Sequence, residues 1–129
     1  MSLAYAALAV NILLLVGGQL LWKLGLTRAT LAQAAANQVA AGHTAAWLQV
    51  ALSPFIWAGL VLYAIATVLW LFALSRLPLS VAYPIQALAY VLGMIAAQRL
   101  LGEDVPLWAW LGGLLIFLGV ALIAYRPGA

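Results

Sequence analysis

Four long runs of apolar residues, separated by short breaks and one long one, organise this chain. The first runs from Leu3 to Leu26, the second from Pro54 to Leu74, the third from Leu79 to Leu101 and the fourth from Pro106 to Tyr125. A helix needs about 20 apolar residues to cross roughly 30 Å of hydrocarbon, and each run is long enough. The runs are continuously apolar instead of alternating, which predicts helices and not barrel strands. Pro54 and Pro106 stand where helices begin, a place that tolerates a residue without an N–H. The pattern predicts an all-α membrane protein, a single domain of four transmembrane helices.

The breaks differ in kind. Ser75-Arg76-Leu77-Pro78 is a tight turn, and Gly102-Glu103-Asp104-Val105 is another short link. The first connection, Thr27 to Ser53, is long and Ala-rich and holds Gln33, Asn37, Gln38, His43 and Gln49. It reads as a loop in which Leu31, Ala35 and Val39 share a face, so a short helix on the membrane surface is expected there. Four spans place both termini on one side. Arg76 and Arg126 fall on that side, and Lys23, Arg28 and Arg99 on the other. Two against three is almost no orientation bias.

Composition sharpens the class. The chain has 129 residues, 69% hydrophobic and only 5% charged, whereas soluble domains carry roughly 25% charged residues. So few charges cannot clothe a water-facing surface. The net charge of +3 comes without any run of Lys or Arg, so a nucleic-acid partner is not expected. There is no cysteine, which excludes disulfides and thiolate metal sites. The N-terminus lacks a basic n-region and its apolar stretch is too long for a cleaved signal peptide. No cofactor or metal motif is present, and neither is expected.

Enzyme chemistry finds little support. His43 sits in a polar loop with no carboxylate near it in sequence, and it reads as a solvated residue. Glu103 and Asp104 are adjacent in a link and read as caps for the positive end of the fourth helix, not as an acid/base pair. The polar residues inside the spans are more informative. Asn11, Gln19 and Lys23 lie within an arc of about 120° on the first helix, with Gly18 at its edge. Such a stripe faces protein or a water-filled cavity, because lipid cannot satisfy it. Interhelical hydrogen bonding and a ligand cavity both fit.

The second span aligns Gly59, Tyr63, Thr67, Trp70 and Leu74 on one face, and the third aligns Tyr83, Gln86, Tyr90 and Ala97. Two such faces suit a cavity for an amphiphile. An interfacial aromatic belt accounts equally for Trp70 and Tyr83, which lie near the turn at Arg76. Gln86 and Tyr90 lie deeper, where the cavity reading gains. Pro84, about one turn into the third span, predicts a kink. Gly112, Gly113 and Gly119 of the fourth span would let a second helix approach closely, which points to a dimer interface.

The segments Gly17-Gly18-Gln19-Leu20-Leu21-Trp22-Lys23, Leu69-Trp70-Leu71-Phe72-Ala73-Leu74, Ala82-Tyr83-Pro84 and Leu101-Gly102-Glu103 together resemble one family. Their order and spacing are similar to the small membrane subunits of the aminoarabinose-phosphoundecaprenol flippase, four-helix proteins of the drug/metabolite transporter superfamily. The fourth span, Gly113 to Val120, resembles the helix through which the neighbouring small multidrug resistance exporters dimerise. Those exporters carry a buried glutamate two turns before a lysine. Aligned on Lys23, that place holds Leu15 here.

The resemblance implies a small multidrug resistance-like bundle that works as a homodimer or with a paralogous small subunit. It implies a location in the bacterial inner membrane and movement of a polyprenyl-phosphate-linked sugar, or a related lipid, between leaflets. On that reading Lys23 or Arg76 captures the phosphate, and Gln19, Gln86, Tyr83, Tyr90 and Trp70 line its path. A proton-coupled exporter of small cations and a non-transporting assembly subunit are the competing readings.

Overall fold

The computed structural model describes residues 2–36, 48 and 50–125. His43, Asn37, Gln38, Val39, Gln49 and Arg126 lie outside the described residues. Five helices occur in order: α1 (Ser2–Ala36), α2 (Pro54–Leu74), α3 (Leu79–Gln86), α4 (Leu88–Leu101) and α5 (Leu107–Ala124). Helices α3 and α4 form one span interrupted at Ala87, so four segments are long and apolar enough to cross a membrane. The shortest has 18 residues, about 27 Å of helix.

The first helix departs from expectation. It does not give way to a loop at Thr27 but continues to Ala36. The stretch Ala29 to Ala36 contains five alanines together with Leu31 and Gln33, all strong helix formers, and no glycine or proline, so nothing in it ends a helix. The surface helix expected around Leu31 and Ala35 is therefore, as far as Ala36, an extension of the span itself. Arg28 is held at this level by its guanidinium, 4.4 Å above the Phe55 ring at the start of α2.

Helix α1 packs along α2 and also touches α3 and α4, while α5 lies against α3 and α4. The small core of Ala4, Leu8, Ala73, Leu77 and Ala82 ties the start of α1 to the turn between α2 and α3. Trp70, Leu74 and Ile85 close over it. Large apolar side chains such as Leu13, Val68, Leu115 and Leu122 remain exposed. That arrangement is costly in water and natural in hydrocarbon.

Two contacts set the register of α1 on α2. The backbones meet at Gly18 and Gly59, where a Cβ on Gly18 would stand 3.2 Å from the Gly59 carbonyl oxygen. A Cβ on Gly59 would overlap the Trp22 indole. Trp22 cannot step aside cheaply, since its Nε1 donates to the Ile56 carbonyl at 3.1 Å and its ring stacks on Tyr63 with centroids 4.6 Å apart. Two turns away, Asn11 Nδ2 donates to the Ala66 carbonyl at 2.6 Å.

The third span breaks three residues after Pro84. Proline has no N–H for the Ser80 carbonyl and crowds it. Beyond it the backbone tightens, with the Ala87 N–H reaching the Pro84 carbonyl at 3.0 Å and the Tyr90 N–H reaching that of Ala87 at 3.0 Å. Helix α4 ends at Gly102, whose φ of +66° is a left-handed conformation suited to glycine. The N–H groups of Gly102 and Glu103 both turn back to the Ala97 carbonyl.

That turn redirects the acidic pair. Glu103 does not cap α5, whose N-cap is Pro106 with no side-chain hydrogen bond. Gly113 packs against α4 within the chain, where an added Cβ would displace the tip of the Met94 side chain. Gly112 and Gly119 face open space.

The Gly59→Leu variant should lose about 1–3 kcal/mol of stability, the range for overpacking a close contact. Gly93→Ala, where an added Cβ meets nothing within 4 Å, should melt at or above the wild-type temperature. Thermal unfolding in detergent checks both.

Candidate functional site

A cleft of about 380 Å³ lies between α1 and the broken third span. Leu15 and Gln19 form one wall, and Tyr83, Gln86, Ala87, Tyr90 and Gly93 form the other. The break at Ala87 falls between Gln86 and Tyr90, and residues from both α3 and α4 border the same space. Tyr90 is 70% exposed and Tyr83 is also open to the surface, which makes the cleft open-sided. A smaller recess of about 120 Å³ adjoins it, bordered by Asn11, Leu15, Tyr63, Thr67, Trp70 and Gln86. Leu15 and Gln86 border both spaces.

The walls carry neutral hydrogen-bonding groups. Gln19 Nε2 donates to the Tyr63 hydroxyl at 3.1 Å. Gln19 therefore spends that donor on its neighbour, and the phenol, having accepted, keeps its own proton to donate. Trp70 meets Tyr83 edge-on with centroids 5.3 Å apart, which joins the recess to the outer end of the cleft. Thr67 Oγ1 donates back to the Tyr63 carbonyl at 2.8 Å. Two buried amide oxygens, Asn11 Oδ1 and Gln86 Oε1, accept no hydrogen bond. Asn11 is only 1% exposed.

Charge is confined to the ends. Lys23, one turn beyond Gln19, pairs with Glu103 across 3.1 Å. The pair joins the end of the first span to the end of the third, so both ends lie on one side of the bundle. It is 57% and 44% exposed at its two side chains. Arg76 stands at the opposite end, in the turn after α2, with its guanidinium 5.8 Å from the Phe72 ring.

Of the residues singled out in the sequence, Gln19, Tyr83, Gln86 and Tyr90 border one cleft and Trp70 borders the adjoining recess. Lys23 lies a turn beyond the cleft with its charge partnered, and Arg76 does not border either space. Pro84 lies three residues before the break and does not itself border the cleft. Sequence reasoning had not placed Asn11, Tyr63 or Thr67 among the site residues, although each stood on a polar or aromatic stripe. Nor had it paired Glu103 with Lys23, 80 positions away, for which no sequence signal existed. Among the described residues no group of three or more His, Cys, Asp or Glu side chains is placed to hold a metal ion. Leu15, which aligns with the exporters' buried glutamate, borders both spaces and leaves that position uncharged.

Residues 40–125 match the EamA-like transporter family. The probable 4-amino-4-deoxy-L-arabinose-phosphoundecaprenol flippase subunit ArnE of Serratia proteamaculans is 34% identical over 127 residues, covering 98% of this chain and 100% of that protein. The Pseudomonas fluorescens protein of the same description is 35% identical over 85 residues, 66% of this chain and 75% of its own length. The Yersinia pestis one reaches 45% over 58 residues, 45% of this chain and 51% of its own. No solved structure matches the chain. A near end-to-end match, together with four apolar spans around a neutral polar cleft, makes this multi-pass membrane protein a member of the EamA-like transporter family and kin to the ArnE flippase subunits.

Proposed function

We propose that the chain is a subunit of an inner-membrane flippase for a polyprenyl-phosphate-linked sugar. The observation that carries this reading is the open-sided cleft whose deep wall is polar but uncharged. An amphiphile with a charged headgroup faces a steep barrier at mid-bilayer, since even lenient scales put a charged side chain there at about 2.5–3.5 kcal/mol. A side-open polar groove lowers that barrier while the hydrocarbon tail stays in lipid. The ArnE relatives, named as subunits of a flippase for such a lipid, support the same reading.

Lys23 and Arg76 would capture the phosphate at opposite membrane faces. The Tyr63 hydroxyl, oriented by Gln19, and the amide of Gln86 would then present neutral hydrogen-bonding groups along the wall. Glu103 competes with the phosphate for Lys23, so the ion pair holds that end in check until a ligand displaces the carboxylate. Lys23→Gln should slow transport of a polyprenyl-phosphate-linked sugar into proteoliposomes roughly tenfold, the loss of one charge-assisted hydrogen bond. Glu103→Gln should keep or raise the rate. Exposed pairs contribute about 0–1 kcal/mol, so neither change should move the melting temperature appreciably. Equal rates for wild type and Lys23→Gln would sink the assignment.

A four-helix chain encloses little space alone, and related architectures place their sites between repeats or copies. The exposed face of α5 at Gly112 and Gly119 would meet a second copy or a paralogous small subunit. Because the chain has no cysteine, single introduced thiols report cleanly. Gly119→Cys should crosslink to a second chain in native membranes, and Gly113→Cys should not. A monomer in both cases would remove the dimer.

With Leu15 at the joint of cleft and recess, no carboxylate stands there to exchange a proton for a cation. Overexpression should therefore give no resistance to quaternary ammonium compounds. Clear, pH-dependent resistance would favour the exporter reading instead.

A further inference from the structure

The flank of the α1–α2 pair that faces away from the cleft carries a second hollow. It is an open apolar groove of about 250 Å³, bordered by Leu21 of α1 and by Pro54, Phe55 and Ala58 of α2. At 100° per residue, Leu21 and Arg28 lie within about 20° of each other on α1, and both lie about 160–180° from Gln19. The groove is thus on the far side of the helix from the cleft and outside the path along Gln19 and Gln86. Its depth in the membrane follows from the helix limits. The apolar span of α1 closes at Arg28 and that of α2 opens at Pro54. Pro54 and Phe55 therefore sit at the membrane boundary, with Ala58 about one turn and Leu21 about two turns further in. Trp57, exposed at the same level with its Nε1 on the Ala51 carbonyl at 2.8 Å, is an interfacial aromatic.

Arg28 stands at the mouth. Its guanidinium lies 4.4 Å above the ring of Phe55, which also walls the groove. An aromatic face steadies a cation without neutralising it. The chain has two acids. Glu103 is taken by Lys23, about 140° around α1 from Arg28, and Asp104 follows in the same link. Among the described residues no carboxylate pairs with Arg28. An uncompensated guanidinium held at the membrane boundary over an apolar groove suits a ligand with an anionic head and a hydrocarbon tail. A zwitterionic headgroup would bring an ammonium to a place without a carboxylate to meet it. The groove's volume equals about eight waters, which accommodates a stretch of one acyl chain.

We infer that this groove and Arg28 form a site for one anionic glycerophospholipid of the bilayer, with its phosphate on Arg28 and an acyl chain along Phe55, Ala58 and Leu21. Bound there, the lipid touches α1 and α2 at once and strengthens a pairing that gains nothing from apolar burial in hydrocarbon. The inference is independent of the flippase reading.

The test is lipid binding to the full chain in detergent, titrated with phosphatidylglycerol or phosphatidylcholine. Native mass spectrometry reads the first bound lipid, and thermal unfolding reads its effect. A charge-assisted hydrogen bond is worth roughly tenfold in affinity. The first phosphatidylglycerol should therefore bind roughly tenfold more tightly than the first phosphatidylcholine, and it should raise the melting temperature. Arg28→Gln should bring that ratio close to one. Ala58→Phe, whose ring fills the groove from an exposed position, should abolish the rise in melting temperature. Arg99→Gln, which removes the same charge from the last turn of α4, should leave both readouts unchanged. A wild-type ratio near one overturns the inference. A ratio that falls as far in Arg99→Gln as in Arg28→Gln overturns it too, since general surface attraction would then suffice. A rise in melting temperature that survives Ala58→Phe leaves a headgroup contact without the groove and has the same consequence. Inorganic phosphate should not reproduce the rise; an equal rise would assign Arg28 to a free anion and overturn the lipid site. Ala58→Cys should stay monomeric under oxidation in native membranes, and a crosslink there would give the groove to a second copy instead.

Discussion

The close approach of α1 and α2 at Gly18 and Gly59 fixes the position of the polar side chains on both helices. In hydrocarbon, apolar burial gives no preference for one helix over lipid, so association rests on van der Waals packing and interhelical hydrogen bonds. Two glycines without side chains let the backbones come together. Trp22 then fits over Gly59 and bonds to the Ile56 carbonyl, and Asn11 reaches the carbonyl of Ala66. With the helices locked at these two levels, Tyr63 has nowhere to point but along α1, where Trp22 stacks on it and Gln19 meets its hydroxyl. The inner wall of the site is thus a consequence of backbone packing.

The opposite wall is made differently. Tyr83, Gln86 and Tyr90 are spaced by three and four, so they share one face of the third span, and all three border the cleft across the break at Ala87. Pro84 supplies the weakness by leaving one carbonyl without its helical partner. Irregular backbone at membrane depth is tolerated only where it lines a cavity or is covered by protein, and here it lines the cleft. The turn at Gly102 fixes the end of the same span and delivers Glu103 to Lys23. One wall is therefore set by close packing, and the other is interrupted in the middle and tied at its end by an exposed ion pair of small energy.

The number of spans was legible in the sequence because hydropathy over about 20 residues reports the thickness of the bilayer directly. Which side of each helix turns inward was much less so. A helix apolar on every side gives periodicity little to read: Gly112, Gly113 and Gly119 look alike in the sequence, yet Gly113 alone turns toward Met94 of its own chain. The polar stripes were a better guide, since lipid cannot satisfy them. Gln19, Gln86, Tyr83 and Tyr90 accordingly border one cleft. Arg76 was chosen for its charge and its place at a helix end, and charge at an end says nothing about azimuth. The partnership of Lys23 with Glu103 depends on α4 ending beside the Lys23 level of α1, which only the folded chain decides. The extension of α1 to Ala36 escaped because a fall in hydropathy was read as the end of a helix, whereas alanine continues a helix in water as readily as in lipid.

The unpaired amide oxygens bear on why a membrane protein would keep such groups at all. Leaving a buried acceptor without a partner costs about 1–3 kcal/mol, and a leucine at Asn11 or a methionine at Gln86 would avoid the cost of the free oxygen. Asn11 has a structural reason to be polar, since its Nδ2 holds α1 to α2 through the Ala66 carbonyl. That reason covers one half of the amide and leaves Oδ1 unexplained. Gln86 lacks even that much, for its Oε1 is buried without a partner in a helix whose register other contacts already fix.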